Sequence, residues 1–302
     1  MKEIQAFSPG HLTGFFQACD KSKDPLLRGS KGAGLSISEG VTTKVKIRKS
    51  RKKSVNISIN GKREESALVS RHVAESFLRL VDGNFDVLVE HYVAVPVGCG
   101  FGTSGAGALS LALALNKALG LGMSRVRASQ LAHVAEVECK TGLGTVIAET
   151  LGGLELREKP GAPGIGQIKS IPISGDYIVP CISFGPLPTS EILRKKTAQQ
   201  RINESSPQLI EELKRHATPE NFMRLSRKFA EHMKLITERL RAILIETDYA
   251  GFACSMAMFG ETLFSIVKRD QVKEIHEIFS RHTSSQCNVI FANIDFEGAR
   301  LL

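Results

Sequence analysis

The chain has no apolar run long enough to cross a bilayer. Its most apolar stretch, Ala106 to Leu115, is interrupted by Asn116 and Lys117, well short of the ~20 residues a spanning helix needs. Residues 1–7 read as a first strand and lack the apolar core of a signal peptide, so a cytoplasmic protein without a membrane anchor is expected. Cys19, Cys99, Cys139, Cys181, Cys254 and Cys287 are scattered, with no C-x-x-C pair and no histidines at metal-ligand spacing. That argues against a thiolate metal site and for reduced thiols. No Asp or Glu occurs between His91 and Ala135, no Lys between His91 and Lys117, and no aromatic residue between Lys44 and Lys53.

The last absence bears on the charge. The net charge of +9 is concentrated between Lys44 and Lys53, which invites a nucleic-acid reading. Lys44, Lys46 and Arg48 alternate with Val45 and Ile47, the pattern of a strand with one wet face. A second alternation, Val55 to Ile59, ends in Asn60-Gly61, a type I′ turn signal. With no aromatics for base stacking, a solvated hairpin region that steers anionic substrates is the preferred account, and no nucleic-acid partner is expected.

What the chain does have is a glycine-rich loop. Pro96, Gly98, Gly100, Phe101, Gly102, Thr103, Ser104 and Gly105 join a strand-like run, residues 91–95, to a small-residue helical run from Ala106 to Leu119. Strand, glycine turn and helix N-terminus together make an anion site. Residues 100–105 match the dinucleotide G-x-G-x-x-G, but that motif wants an acidic residue about 20 positions on, and none is present. The ATP-type P-loop wants a Lys at its end, also missing.

Around the loop, strands are expected up to about residue 60, with 23–34 as a loop and a helix from about Glu64 to Val81. Further strands follow near 85–88 and 91–97, then helices from Ala106, from Ser124 to Cys139, and from the Thr141–Gly144 turn to Leu151. The Pro/Gly-rich run 160–166 is the best candidate boundary. Beyond it come strands at 168–173 and 176–184, helices at 207–216 and 219–246, and a closing strand, helix and strand at 263–267, 271–281 and 289–294.

Residues 96–106 resemble the signature Pro-x-x-x-Gly-Leu-Gly-Ser-Ser-Ala of the GHMP kinases, with Phe101 for Leu and Thr103 for the first Ser. Residues 8–16 resemble the first motif of that superfamily and 254–260 occupy the place of its third. Within it, segments 8–16, 29–34, 135–144, 157–166 and 255–260 are similar to those of the archaeal pantoate kinases. The resemblance implies an α+β, two-domain fold: a ribosomal-protein-like domain over 1–165 carrying the phosphate loop, and a ferredoxin-like domain over 166–302. It also implies a cytoplasmic enzyme that uses ATP and Mg²⁺ to phosphorylate pantoate in coenzyme A synthesis. Kinases of mevalonate or homoserine type, and a GHMP fold that binds without catalysis, stay open. So does a homodimer.

The site follows from the same resemblance. Ser104 and Glu136 are expected to hold Mg²⁺, which takes hard oxygen ligands and few of them from protein. Ser104 has a plainer reading as a helix N-cap. Thr145 stands where many GHMP kinases carry an Asp that orients or deprotonates the acceptor hydroxyl, and threonine is no base near neutral pH. Transfer without a base, a base from elsewhere (Glu149 being the nearest carboxylate), or a weakened enzyme are the options. Arg157 is expected to bind the pantoate carboxylate. Residues 28–34 are expected as a flexible loop bringing Ser30 and Lys31 to the substrate, and His11 to help hold acceptor or phosphate. Ser255 and Gly260 are expected to shape the nucleotide-side wall. His133 is expected to pack rather than ligate, and Cys99 to fill space.

Overall fold

The computed structural model describes residues 2–187, 196–283 and 287–302. The first elements are β1 (Lys2–Cys19), β2 (Gly29–Lys49), β3 (Ser54–Ile59), β4 (Lys62–Arg63), α1 (Leu68–Leu78), β5 (Phe85–Val93), α2 (Thr103–Leu119), α3 (Arg125–Cys139), α4 (Thr145–Leu151), β6 (Leu154–Lys159) and β7 (Gln167–Ile171). Then follow β8 (Tyr177–Pro186), α5 (Lys196–Arg215), α6 (Pro219–Met233), α7 (Glu238–Tyr249), β9 (Cys254–Met256), β10 (Gly260–Ser265), β11 (Val267–Lys268), α8 (Val272–Arg281), β12 (Asn288–Asn293) and β13 (Arg300–Leu301). This is the expected α+β build. Among the described residues no helix is long and apolar enough to cross a membrane.

The first sheet runs β13-β1-β2-β5-β3-β4, with β6 beside β2 and β7 beside β6. Strand β2 changes partner along one edge, pairing with β6 over Gly32–Leu35 and with β5 over Val41–Lys49. The phosphate loop leaves β5 at this fork, where the Ala94 amide donates to the Gly40 carbonyl at 3.0 Å. One core lies between the β5 side of this sheet and α1, α2 and α3, built from Val45, Val73, Phe77, Val87 and the alanines and leucines of α2. A second joins the other half of the sheet to α5, α6, α7 and the second sheet, β11-β8-β10-β9 with β12 on β8. Phe15 meets Phe222 and Phe16 meets Phe229 across it; truncating such a buried ring costs about 3–5 kcal/mol. The hairpin β6–β7 belongs to the first sheet, and the chain passes to the second between Ile171 and Tyr177.

Four sequence expectations are corrected. The basic segment 44–53 is not the turn of a hairpin, because β5 lies between β2 and β3 and runs parallel to β3. A parallel pair needs a crossover, here supplied by α1. The charges do lie on a wet face: Lys44 and Lys46 pair with Glu3, and Arg48 with Asp86. The Asn60-Gly61 turn forms as expected, with φ of 49° and 77°, but it closes the β3–β4 hairpin, which delays α1 to Leu68. Residues 29–34 are strand, paired with β1 on one side and partly with β6 on the other. Helix 219–246 is two helices, because Lys234 turns left-handed (φ 55°) and the Thr237 hydroxyl caps a new start at the Leu240 amide.

A buried polar cluster ties the first half together. The His91 ring lies 2.7 Å from the Thr43 hydroxyl and 2.9 Å from that of Ser70, and Thr43 reaches Ser110 at 2.6 Å. Strands β2 and β5 are thereby linked to α1 and α2. Burial holds the His91 imidazole neutral, its pKa pushed down to about 4.

Candidate active site

The phosphate loop alternates left-handed glycines, with φ of 77° at Gly98, 88° at Gly100 and 65° at Gly102, a path side chains resist. It delivers the chain into α2 with Gly102 as N-cap and no capping side chain. Because the first intrahelical bond there runs from Ala106 to the Gly102 carbonyl, the amides of Thr103, Ser104 and Gly105 face outward, free for an anion. Phe101 is buried and its carbonyl accepts from the His11 amide at 2.9 Å. Cys99 is buried, its thiol pushed up by desolvation and donating to the Val97 carbonyl. Pro96 stands before the loop, at its β5 end.

Ser104 does not cap the helix. It is the second helical residue, solvent-exposed, and its hydroxyl donates to Glu136 Oε1 at 2.5 Å. The same oxygen accepts from the Thr141 hydroxyl at 2.6 Å. Glu136 is buried, and burial raises its pKa against the lowering effect of these two hydroxyls. A side chain at Gly142 would collide with the other Glu136 oxygen, at 2.1 Å, so the glycine turn after α3 is what makes room for this carboxylate. One hydroxyl and one carboxylate beside free amides suit a hard divalent cation shared with phosphates.

The residues expected on the acceptor side sit on one face of the sheet. His11 and Thr13 on β1, Gly32 and Gly34 on β2, and Glu155 and Arg157 on β6 are at matching registers and share one side of the pleat. The His11 ring lies over Gly34, where a Cβ would approach its Nε2 to 2.4 Å. His11 Nε2 donates to Glu155 Oε1 at 3.0 Å, and Arg157 Nη1 donates to the same oxygen at 2.6 Å. All three side chains are buried. Desolvation holds His11 neutral, outweighing the Glu155 charge. The other Glu155 oxygen and Arg157 Nε have no hydrogen-bond partner among the described residues. Ser30 packs against Gly144 on this side, while Lys31, the next residue along β2, points to the opposite face.

Between this face and the loop stands α4. Thr145 opens it, and Glu149, one turn on, is fully buried. Among the described residues neither the Thr145 hydroxyl nor either Glu149 oxygen has a hydrogen-bond partner. Burial first, then the Glu136 charge, raise the Glu149 pKa well above the carboxylate range, with Arg157 opposing. The buried His133 ring donates from Nε2 to the carbonyls of Pro25 and Arg28 at 3.2 and 3.1 Å. The buried Ser255 hydroxyl has no hydrogen-bond partner among the described residues, and Gly260 lies directly beneath the loop carbonyl of Cys99.

Glu155 went unnoticed in the sequence, yet a signal was available. In Leu154-Glu-Leu-Arg157 the leucines and the charged residues alternate, and all four are buried. A strand covered on both faces must seat its charges among polar partners.

Residues 67–153 match the family described as the GHMP kinases N terminal domain. The chain is 37% identical to the pantoate kinase of Thermococcus kodakarensis over 92% of each sequence. It is 34% identical to that of Methanocaldococcus jannaschii, over 94% of this chain and all of the relative. A solved structure described as a phosphotransferase related to the CoA biosynthesis pathway superposes with a TM-score of 0.90 at 34% identity, covering 99% of this chain and 98% of the other. The glycine-rich loop, the paired Ser104 and Glu136 and the buried His11–Glu155–Arg157 face thus sit in a chain that belongs to the pantoate kinase family of the GHMP kinases.

Proposed function

We propose that this chain is an ATP- and Mg²⁺-dependent kinase that phosphorylates the primary (C4) hydroxyl of pantoate, a step of coenzyme A synthesis. The observation that carries the reading is the buried Arg157, fixed by Glu155 beside the phosphate loop with Nε unclaimed. A guanidinium desolvated in this way fits a small carboxylate. Amides from Gly98 to Gly105 cradle the ATP phosphates, and Ser104 and Glu136 hold Mg²⁺, which when bound neutralises charge on the transferring group. Arg157 binds the acceptor carboxylate, with His11 and Ser30 lining its pocket; Lys31 belongs to the same strand but not to the same face. Thr145 follows the glycine turn, the position from which this family reading places a group beside the acceptor hydroxyl. Phosphoryl transfer asks for placement and charge stabilisation more than for covalent participation, and a rigid strand face opposite a helix N-terminus suits both.

The partner is a small molecule rather than nucleic acid, in the cytoplasm, with a homodimer compatible with this site. A division into two units, 1–165 and 166–302, is part of the same reading, with β7 (Gln167–Ile171) reaching back onto the first sheet beside β6. ADP release measured with pantoate, mevalonate and homoserine tests it: turnover on pantoate above the others is expected, and turnover on another acceptor alone would overturn it.

A further inference from the structure

Helix α4 packs under the glycine-rich loop, and what fixes it in place comes from far along the chain. Its 7 residues are too few for a helix to hold its shape unaided. On the loop side, Glu149 Oε1 lies 2.8 Å from the position a Cβ would take at Gly102, and Thr145 Oγ1 lies 2.4 Å from that at Gly105. On the far side the neighbour is the turn 295–299, which leads from a bridge at Ile294 into β13. The Ala299 amide donates to the Glu149 carbonyl at 2.9 Å, and the Gly153 amide, just past the helix, donates to the Asp295 carbonyl at 2.6 Å. Ser36 of β2 completes the join: its amide donates to the Gly153 carbonyl, and its carbonyl accepts from the Asp295 amide. The last carbonyls of a helix have no partner within it. Here Ala299 satisfies that of Glu149, and Arg125 that of Thr150.

The turn is itself held from several sides. Asp295 is buried, and its Oδ1 accepts from the Glu297 and Gly298 amides at 3.2 and 2.8 Å. Arg300 donates to Asp295 Oδ2 and to the Gly298 carbonyl, both at 2.8 Å, and lies over the Phe7 ring of β1. Gly298 has a φ of 70°, and a Cβ there would come within 2.3 Å of the Thr150 carbonyl oxygen. Gly152 meets the same turn from the helix side, where a Cβ would lie 2.8 Å from the Asp295 carbonyl oxygen. Two glycines thus bring two backbones into direct contact at the last turn of α4.

We infer, resting on the kinase reading above, that the turn 295–299 is a positioning element for phosphoryl transfer, holding α4 where the phosphate loop and the acceptor face are in line. Its residues act through α4 and touch no reacting atom. Transfer depends on placement, and a displacement of about 1 Å remote from the chemistry can cost about 100-fold in rate. Gly298→Ala supplies a displacement of that size, because its 2.3 Å approach must open to the 3.4 Å of ordinary contact.

The test measures ADP release at saturating ATP, Mg²⁺ and pantoate, together with hydrogen exchange of the unliganded protein. The variants are Gly298→Ala, Asp295→Ala, Asp295→Asn and, as a control destabilised in the second core, Phe279→Leu. With Gly298→Ala, kcat is expected to fall by roughly 10- to 100-fold, and exchange to quicken in α4 and in residues 98–105 while β8 and α8 keep their wild-type rates. Asp295→Ala should show the same pattern. Asp295→Asn, which keeps an oxygen for the two turn amides, should recover most of that loss. Phe279→Leu should melt earlier at wild-type kcat. A kcat for Gly298→Ala within about twofold of wild type, or unchanged exchange in residues 98–105, overturns the inference. An equal loss of kcat in Phe279→Leu also overturns it, since the rate would then follow overall stability. If Gly298→Ala does not fold, Asp295→Ala is judged by the same two readings. Exchange is read without any acceptor, so a wild type inactive on pantoate would sink the kinase reading alone, and the exchange result would still decide whether the turn holds α4 and the loop.

Discussion

Arg157 and Glu155 form a buried ion pair joined by one hydrogen bond, Nη1 to Oε1 at 2.6 Å, while Nε and Oε2 face no partner. Arg–carboxylate pairs frequently close as a two-pronged fork, and this one does not. Here His11 takes a share of Oε1 from the other side.

Removing the guanidinium should therefore do two separable things. Arg157→Ala should raise the Michaelis constant for pantoate by roughly 10- to 100-fold, the worth of a charge-assisted hydrogen bond. It should also destabilise the fold by about 3–5 kcal/mol, because Glu155 is left buried and uncompensated. Adding Glu155→Gln should restore much of the stability and none of the affinity. Kinetics and denaturant melts on the three proteins check this, and an unchanged Michaelis constant removes Arg157 from the acceptor site.

Ser104→Ala and Glu136→Ala should each lower kcat by tenfold or more through lost metal placement. Because the two side chains share a hydrogen bond at 2.5 Å, the double variant should fall short of the product of the single losses. Mn²⁺ binding followed by electron paramagnetic resonance in the presence of ATP should weaken in both; wild-type binding in either would exclude that residue as a ligand.

Acid should loosen the first half of the molecule through His91. An imidazole held neutral by burial, its pKa about 4 when folded against about 6.5 when exposed, gives stability that is complete above the unfolded value. That stability is lost as pH falls towards the folded value, on the order of 3 kcal/mol across the window. His91→Gln should flatten this part of the stability–pH curve between about pH 6.5 and 4. Parallel curves for the two proteins would show that His91 does not contribute.

Much of this architecture is legible in the residues, and what is not has identifiable physical causes. The phosphate loop, α2, α3 and α4 could be read because glycine spacing and a continuous small apolar run leave few alternatives, and Ser124 caps α3 where a serine should. The segment 28–34 misled because glycines mark loops in isolation; here they let His11 and the backbone of Phe15 approach at Gly34 and Gly32, a reason that exists only once β1 is alongside. The insertion of β5 between β2 and β3 depends on a long-range pairing that local alternation does not encode. In the site, Ser104 and Glu136 were named from the motif, but their direct contact was not. The isolation of Glu149 and the wedging of Glu155 between His11 and Arg157 are properties of tertiary packing.

Gly260, on the second sheet, lies so close under the loop that an added Cβ would come within 1.9 Å of the Cys99 carbonyl oxygen. Thr262 on the same strand donates its hydroxyl to that oxygen at 2.8 Å, and the Met258 amide beside them donates to the Thr13 carbonyl of β1. The anion cradle is thus riveted from below to the other half of the molecule. Because the Phe101 carbonyl of the same loop accepts from the His11 amide on β1, the loop is fastened to both sheets at once, and a hinge between them would have to break one of these two attachments.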